Sequence, residues 1–184
     1  MRLVVAVTGA SGSIYAKNFL EAAKSHGIET HLIVTEAGKT VVGHELGGVE
    51  KLTVVADHTY NPQDLEAPLA SGSFRVDGMV IVPATMKTVA ALANGYNANL
   101  VTRAADVHLK ERRPLIMVPR ETPLHAVHLE NMARLSRLGA VILPAMPGFY
   151  HHPESVDDLA NFISGKILDQ LGVPNNLYRR WGEP

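Results

Sequence analysis

The sequence predicts an α/β fold built on a mostly parallel, doubly wound sheet with helices on both faces. Three observations carry this: five short apolar, β-prone runs, segments of helical period between them, and a Gly or Pro bounding each run. Parallel strands covered on both faces read as continuous apolar runs, and strands alternating with helices imply crossover connections.

The elements follow in chain order. Residues 3–7 (LVVAV) form the first run, which stops at Thr8-Gly9, and a helix is expected after Ser13. Residues 30–34 (THLIV) follow Gly27, residues 78–82 (GMVIV) end at Pro83, residues 115–118 (LIMV) at Pro119, and residues 140–143 (AVIL) at Pro144. A helix is predicted over residues 124–138, opened by Thr122-Pro123 and closed by Gly139. Another begins at Ser155, where Ser-Val-Asp-Asp lets Ser155 and Asp158 satisfy free N–H groups reciprocally. Val156, Leu159, Ile163, Ile167 and Leu171 then recur every three or four residues until Gly172 and Pro174. Residues 49–70 lack a regular pattern and read as loop-rich. Residues 1–174 read as one domain. The tail, 175–184, is too short for a second and is expected on the body or on a neighbouring subunit.

Composition removes several function classes. At 184 residues the chain suits a single domain, and 46% hydrophobic with 19% charged residues suits a packed core rather than disorder. A net charge of −1 gives no global basic field for nucleic acid or membrane. With no cysteine there are no disulfides, thiolate metal sites or Cys nucleophiles, and a reducing, cytoplasmic setting is expected. Aromatics at 5% do not make a platform for single-stranded nucleic acid. No apolar run reaches the ~18 residues a membrane span needs.

Three stretches could carry chemistry. The first strand runs into Thr8-Gly9-Ala10-Ser11-Gly12-Ser13, a Gly-rich turn that aims backbone N–H groups and a helix N-terminus at an anion, phosphate above all. It is not the G-x-G-x-x-G dinucleotide pattern, so a mononucleotide fits better; a tight strand–helix turn is the plainer reading. The third strand ends at Pro83-Ala84-Thr85-Met86-Lys87-Thr88, where the threonines cap a helix, bind a ligand, or both. Arg120-Glu121 follows the fourth strand, and Arg103, Lys110 and their neighbours precede it. Cations clamp oxyanions while a carboxylate handles a proton, which suits an anionic substrate. The nine histidines read as surface or packing residues. His125 and His128 can face one way on a helix, but no third ligand follows at a convincing spacing, and no metal site is expected.

Beyond these, the motifs resemble the UbiX-type flavin prenyltransferases. The resemblance covers T-G-A-S-G at 8–12, S-G-S-F at 71–74, T-R-A-A-D-V-x-L-K-E-R-R-P-L at 102–115 and P-R-E-T-P-L at 119–124. It continues through H-L-x-N-M at 128–132 and G-A-V-I-L-P-A-x-P-G-F-Y-H at 139–151 to R-W-G-E at 180–183. It implies a flavodoxin-like fold and FMN. It also implies metal-free transfer of a dimethylallyl group from dimethylallyl phosphate to N5 and C6 of reduced FMN. The product, prenylated FMN, goes to UbiD-type decarboxylases. A homododecamer with active sites at subunit junctions is implied as well. By motif position, Gly9, Ala10 and Ser11 would hold the FMN phosphate side, with Thr35, Thr85, Met86, Lys87, Thr88 and Arg103 completing the flavin site. Glu45, Lys110, Arg120 and Glu121 would surround the prenyl phosphate and flavin, Tyr150 would contact phosphate, and Trp181 would lie near the prenyl group. Lys166 stands where the family usually has a phosphate-binding Arg; it keeps the charge without the planar fork. Two rivals share the cofactor. One is an FMN-dependent decarboxylase of the phosphopantothenoylcysteine type, whose P-x-M-N motif is absent from Pro144-Ala145-Met146-Pro147. The other is a non-enzymatic flavin-binding protein.

Overall fold

The computed structural model describes residues 1–182; Glu183, the last residue of the closing motif, and Pro184 of the tail lie outside the described residues. The predicted strands are present as β1 (Arg2–Val7), β2 (Glu29–Val34), β4 (Gly78–Ala84), β5 (Leu115–Pro119) and a shorter β6 (Val141–Ile142). Between β2 and β4 lies one that the apolar pattern does not reveal, β3 (His58–Tyr60), a polar three-residue edge strand. The sheet order is β3-β2-β1-β4-β5-β6, every pair parallel. The chain winds outward from β1 through β2 to β3, crosses back to β4, and winds outward again. The order therefore reverses between β1 and β4, and a crevice opens there at the strands' carboxyl ends.

Side-chain alternation divides the core. Val4, Ala6, Ile33, Met79, Ile81 and Met117 face α4 (Met86–Ala93), α5 (Leu100–Lys110) and α6 (Ala126–Arg137). Leu3, Val5, Leu32, Val80, Ile116 and Val118 face α1 (Ser13–Ser25) and α7 (Val156–Gln170). Two further helices, α2 (Glu36–Leu46) and α3 (Glu50–Thr53), follow β2. The segment 49–70 is thus more ordered than its sequence suggests, holding α3, β3 and a 3₁₀ turn at Pro68–Ala70.

Local signals place the helix ends. Ser155 and Asp158 form the reciprocal cap read from the sequence. The helix expected to open at Thr122-Pro123 instead has His125 as its N-cap, and 122–125 remain a connecting turn. At the start of α1 the left-handed residue is Gly12, with φ +104°.

Candidate active site

The crevice is pinned by Thr8. Its hydroxyl donates to the Pro83 carbonyl at 2.8 Å and accepts from the Thr85 N–H at 2.9 Å, tying the ends of β1 and β4 together. Two helices start beside it. Thr35 caps α2 by accepting from the Gly38 N–H at 3.1 Å, and Thr85 caps α4 by accepting from the Thr88 N–H at 3.2 Å. The Thr85 and Thr88 hydroxyls are 3.0 Å apart. One proton of the pair is used between them, which leaves one O–H to offer a ligand.

Glu45 takes the N-terminus of α1. Its carboxylate accepts from the Ser13 N–H at 2.7 Å and the Gly12 N–H at 3.0 Å, the position an anion would favour. Burial alone would push the Glu45 carboxyl up; the Ser11 hydroxyl and the N–H groups of Ser13 and Gly12 outweigh it and hold the pKa below the ordinary value. Both ends of α2 therefore touch the β1–α1 turn, Glu45 at one end and Ala37 at the other. A Cβ on Gly9 would lie 2.7 Å from the Ala37 Cβ, so Gly9 is required by close approach rather than by its backbone angle. The N–H groups of Gly9, Ala10 and Ser11 have no hydrogen-bond partner among the described residues. Such a row of free donors beside a helix N-terminus fits a phosphate.

Arg120 reaches across the crevice from the end of β5, its Nε 3.1 Å from the Ser11 carbonyl. With Glu121 it walls a cavity of about 700 Å³ whose other sides include Met86, Leu129, Met132 and Met146. The Arg120-Glu121 pair and the first turn of α4, read separately from the sequence, thus share one apolar cavity with a cation and a carboxylate at its edge. Lys87 follows Met86 in that first turn.

Tyr150 and Trp181 also meet, their rings 5.4 Å apart and edge-on, with Phe162 of α7 6.0 Å from Tyr150. The tail reaches this cluster by docking on α7. The Arg180 guanidinium forks onto Asp169 at 2.8 and 3.2 Å, and the Tyr178 hydroxyl donates to Asp169 at 2.6 Å. Burial, then the bond to Asp169, pushes the Tyr178 hydroxyl up to about 12. Lys166 lies 4.0 Å from Asp169 and 5.9 Å over the Tyr178 ring, with its side chain 42% exposed. Arg180 already meets the Asp169 charge at closer range, so the Lys166 ammonium is available to an incoming anion.

Asp169 couples this docking to pH. Burial raises its carboxyl, but hydrogen bonds from Arg180, Tyr178 and Asn175 together hold it below the ordinary value. A depressed folded-state pKa contributes stability that is complete above the unfolded value and is lost as pH falls through the folded one. Emission from Trp181, the single tryptophan, should be steady above about pH 5 and change below about pH 4, the unfolded Asp value. Asp169→Asn should remove that transition, and identical profiles in the two proteins would contradict the assignment.

Tyr150, Lys166 and Trp181 are not among the residues that line the Arg120 cavity, and two further expected site residues stand apart. Lys110 ends α5 on the opposite, amino-terminal edge of the sheet, five residues before β5 begins, and pairs with Glu111 beside Gly72. A single chain does not bring it to Arg120, because β5 separates them. Arg103 bonds the Ala70 carbonyl at 2.9 Å and Asp106 at 3.1 Å, and not the N-terminus of α4.

A parallel sheet with its crevice at the order reversal, free N–H donors and an adjacent cavity defines a mononucleotide-binding α/β protein. The Flavoprotein family model matches residues 1–168, and the chain belongs to that family. "Flavin prenyltransferase UbiX" of Methanothermobacter thermautotrophicus is 52% identical over 181 residues, spanning 97% of this chain and 94% of the relative. That of Methanocaldococcus jannaschii is 47% identical over 183 residues, spanning 99% of each. AnUbiX in complex with FMN and dimethylallyl pyrophosphate superimposes with a TM-score of 0.97 at 41% identity, covering 99% of this chain and 97% of that one. A dodecameric FMN-dependent UbiX-like decarboxylase from Escherichia coli O157:H7 gives 0.96 at 44%, covering 100% of both. The fold is accordingly flavodoxin-like, and the chain is an enzyme of the UbiX-type flavin prenyltransferases. Among the described residues no helix is long and apolar enough to cross a membrane.

Proposed function

We propose that this protein transfers a dimethylallyl group from dimethylallyl phosphate to reduced FMN, yielding prenylated FMN for a UbiD-type decarboxylase. The observation that carries the reading is the place of Arg120, which bonds the Ser11 carbonyl in the turn of free Gly9–Ser11 donors and, with Glu121, walls the apolar cavity. The family resemblance supports these substrates, and the ligands named for AnUbiX, FMN and dimethylallyl pyrophosphate, support the same flavin and the same prenyl group. On this reading the enzyme acts in the cytoplasm.

Bound FMN supplies the nucleophilic positions, N5 and C6; the chain supplies position and charge. Gly9, Ala10 and Ser11 would hold the FMN phosphate through backbone N–H groups, and Glu45 keeps their turn in place. Thr35 and the Thr85–Thr88 pair set the helix starts at the crevice, with Met86 and Lys87 in the first turn of α4. Breaking the allylic C–O bond sends its electron pair to phosphate, and Arg120 and Lys166 stabilise the charge that develops there. The π faces of Tyr150 and Trp181 would favour the allylic cation in a water-poor setting. Bond formation at N5 displaces the N5 hydrogen as a proton, and ring closure would need one proton delivered to the inner alkene carbon and one removed from C6, transfers that Glu121 or the departing phosphate would carry, so that one proton is released overall.

Lys110, and Arg103 with it, enter this scheme only from a neighbouring copy. We therefore place the site at a junction between chains, in the homododecamer the resemblance implies. Exposed Leu129, Met146, Phe149 and Trp181 offer apolar surface for such contacts.

The direct test is anaerobic incubation with reduced FMN and dimethylallyl phosphate, followed by mass spectrometry of the flavin. A flavin carrying one dimethylallyl unit in place of one hydrogen supports the reading; unmodified flavin overturns it. Within that assay Lys166→Ala should lower kcat/KM for dimethylallyl phosphate about tenfold or more while FMN stays bound, and Lys166→Arg should match or exceed wild type because the guanidinium forks onto phosphate. Unchanged kcat/KM in Lys166→Ala would remove Lys166 from the site.

A further inference from the structure

We propose that Glu29, His31 and His58 form a binding site for a divalent first-row transition metal of the Zn²⁺ class, at the β2–β3 edge of the sheet and separate from the flavin crevice. The topology creates it. Glu29 and His31 are two apart on β2 and so share a face, and His31 is the register partner of His58 on β3. The three side chains offer one ligand atom each, all within 4.8 Å of one another.

The two spacings to Glu29 are those of a coordination shell. His31 Nε2 and His58 Nε2 converge on the same Glu29 Oε1, at 3.2 and 3.3 Å. Ligand atoms about 2.0–2.1 Å from a tetrahedral Zn²⁺ lie roughly 3.3 Å from each other. Little movement is required to admit an ion between them.

The surroundings orient the ligands. His31 Nδ1 is 2.8 Å from the Tyr60 hydroxyl, whose oxygen can accept the Nδ1 proton and leave the Nε2 lone pair for a metal. Arg2 Nε holds the other carboxylate oxygen, Oε2, at 3.1 Å, which leaves Oε1 to bind as a single ligand. Phe74 packs its ring against His31 at 5.5 Å, and the His31 and His58 rings stack at 4.6 Å. His31 is buried while His58 is half exposed, so an ion has an entry path and a fourth position open to water. The ion would staple a three-residue edge strand, otherwise held only along one side, to β2.

Calorimetric titration of the metal-stripped protein with Zn²⁺ tests this, with Co²⁺ absorption in the visible reporting tetrahedral geometry. One Zn²⁺ per chain is expected. His58→Ala, chosen because His58 is exposed and its removal leaves the core intact, should weaken binding by about 100-fold or more, since losing even an outer partner costs 10–100-fold. Glu29→Gln should do the same, and Tyr60→Phe should weaken it about tenfold. A His125→Ala/His128→Ala variant controls for the other stacked histidine pair and should bind as wild type. Absence of Zn²⁺ binding, unchanged affinity in His58→Ala, or loss of binding in the His125/His128 control would each overturn the proposal. Circular dichroism and FMN affinity, in which none of these residues takes part, check that the variants are folded.

Discussion

Gly9→Val should abolish FMN binding in a protein that still folds. A Cβ at Gly9 meets the Ala37 Cβ at 2.7 Å and the Ala37 carbonyl carbon at 3.3 Å, both on the first turn of α2. A β-branched side chain adds two methyl groups to that contact. The turn then has to lift from α2, and the Gly9, Ala10 and Ser11 donors move off the phosphate together. The β1 strand beneath is buried and paired on both sides, so the damage stays in the turn. Fluorescence titration should show FMN affinity falling at least about 100-fold, the ~2.7 kcal/mol expected when several charge-assisted bonds of roughly 1.5–3 kcal/mol are misplaced. Undiminished affinity would remove the turn from the FMN site.

Arg120→Ala should lower prenyl-transfer kcat by about 10²–10³ while FMN remains bound, the usual effect of losing a donor aimed at developing charge. Its guanidinium is anchored at one nitrogen to the Ser11 carbonyl and borders the cavity, so it is positioned before substrate arrives. Single-turnover rates with dimethylallyl phosphate would measure it. A variant whose kcat is unchanged would show that another cation carries the leaving-group charge.

Much of the fold was legible in the residues, for a physical reason. The runs in β1, β4 and β5, and the Leu32–Val34 end of β2, are covered on both faces and had to be apolar. β3 escaped notice because an edge strand of His-Thr-Tyr has neither period nor hydrophobicity to show. Its absence from the reading also hid Glu29, His31 and His58: Glu-x-His is visible on β2, but the third ligand needs β3 paired in register. Within the proposed active site, Gly9–Ser11, Thr85–Thr88 and Arg120-Glu121 announce themselves by lying at strand ends. Glu45, Tyr150, Lys166 and Trp181 carried no such signal and were named through family resemblance. That Glu45 would settle on the start of α1, 32 residues earlier at Ser13, is a tertiary fact about α2. Lys110 is the opposite case: a plain cation in the family motif at 102–115, whose distance from Arg120 emerges only once the sheet is built.

That distance gives the central claim its most direct measurement. If each site joins Arg120 of one chain to Lys110 of a neighbour, Arg120→Ala and Lys110→Ala are each inactive as pure assemblies. Co-expressed as mixed assemblies, they restore junctions in which both residues are native. Random association at equal amounts makes about one quarter of the junctions native, because each side is intact half the time. Mass spectrometry of the flavin after reaction with dimethylallyl phosphate should therefore find prenylated product at roughly a quarter of the wild-type rate. Product no greater than the sum from the two separate variants would contradict a prenyl-transfer site shared between chains.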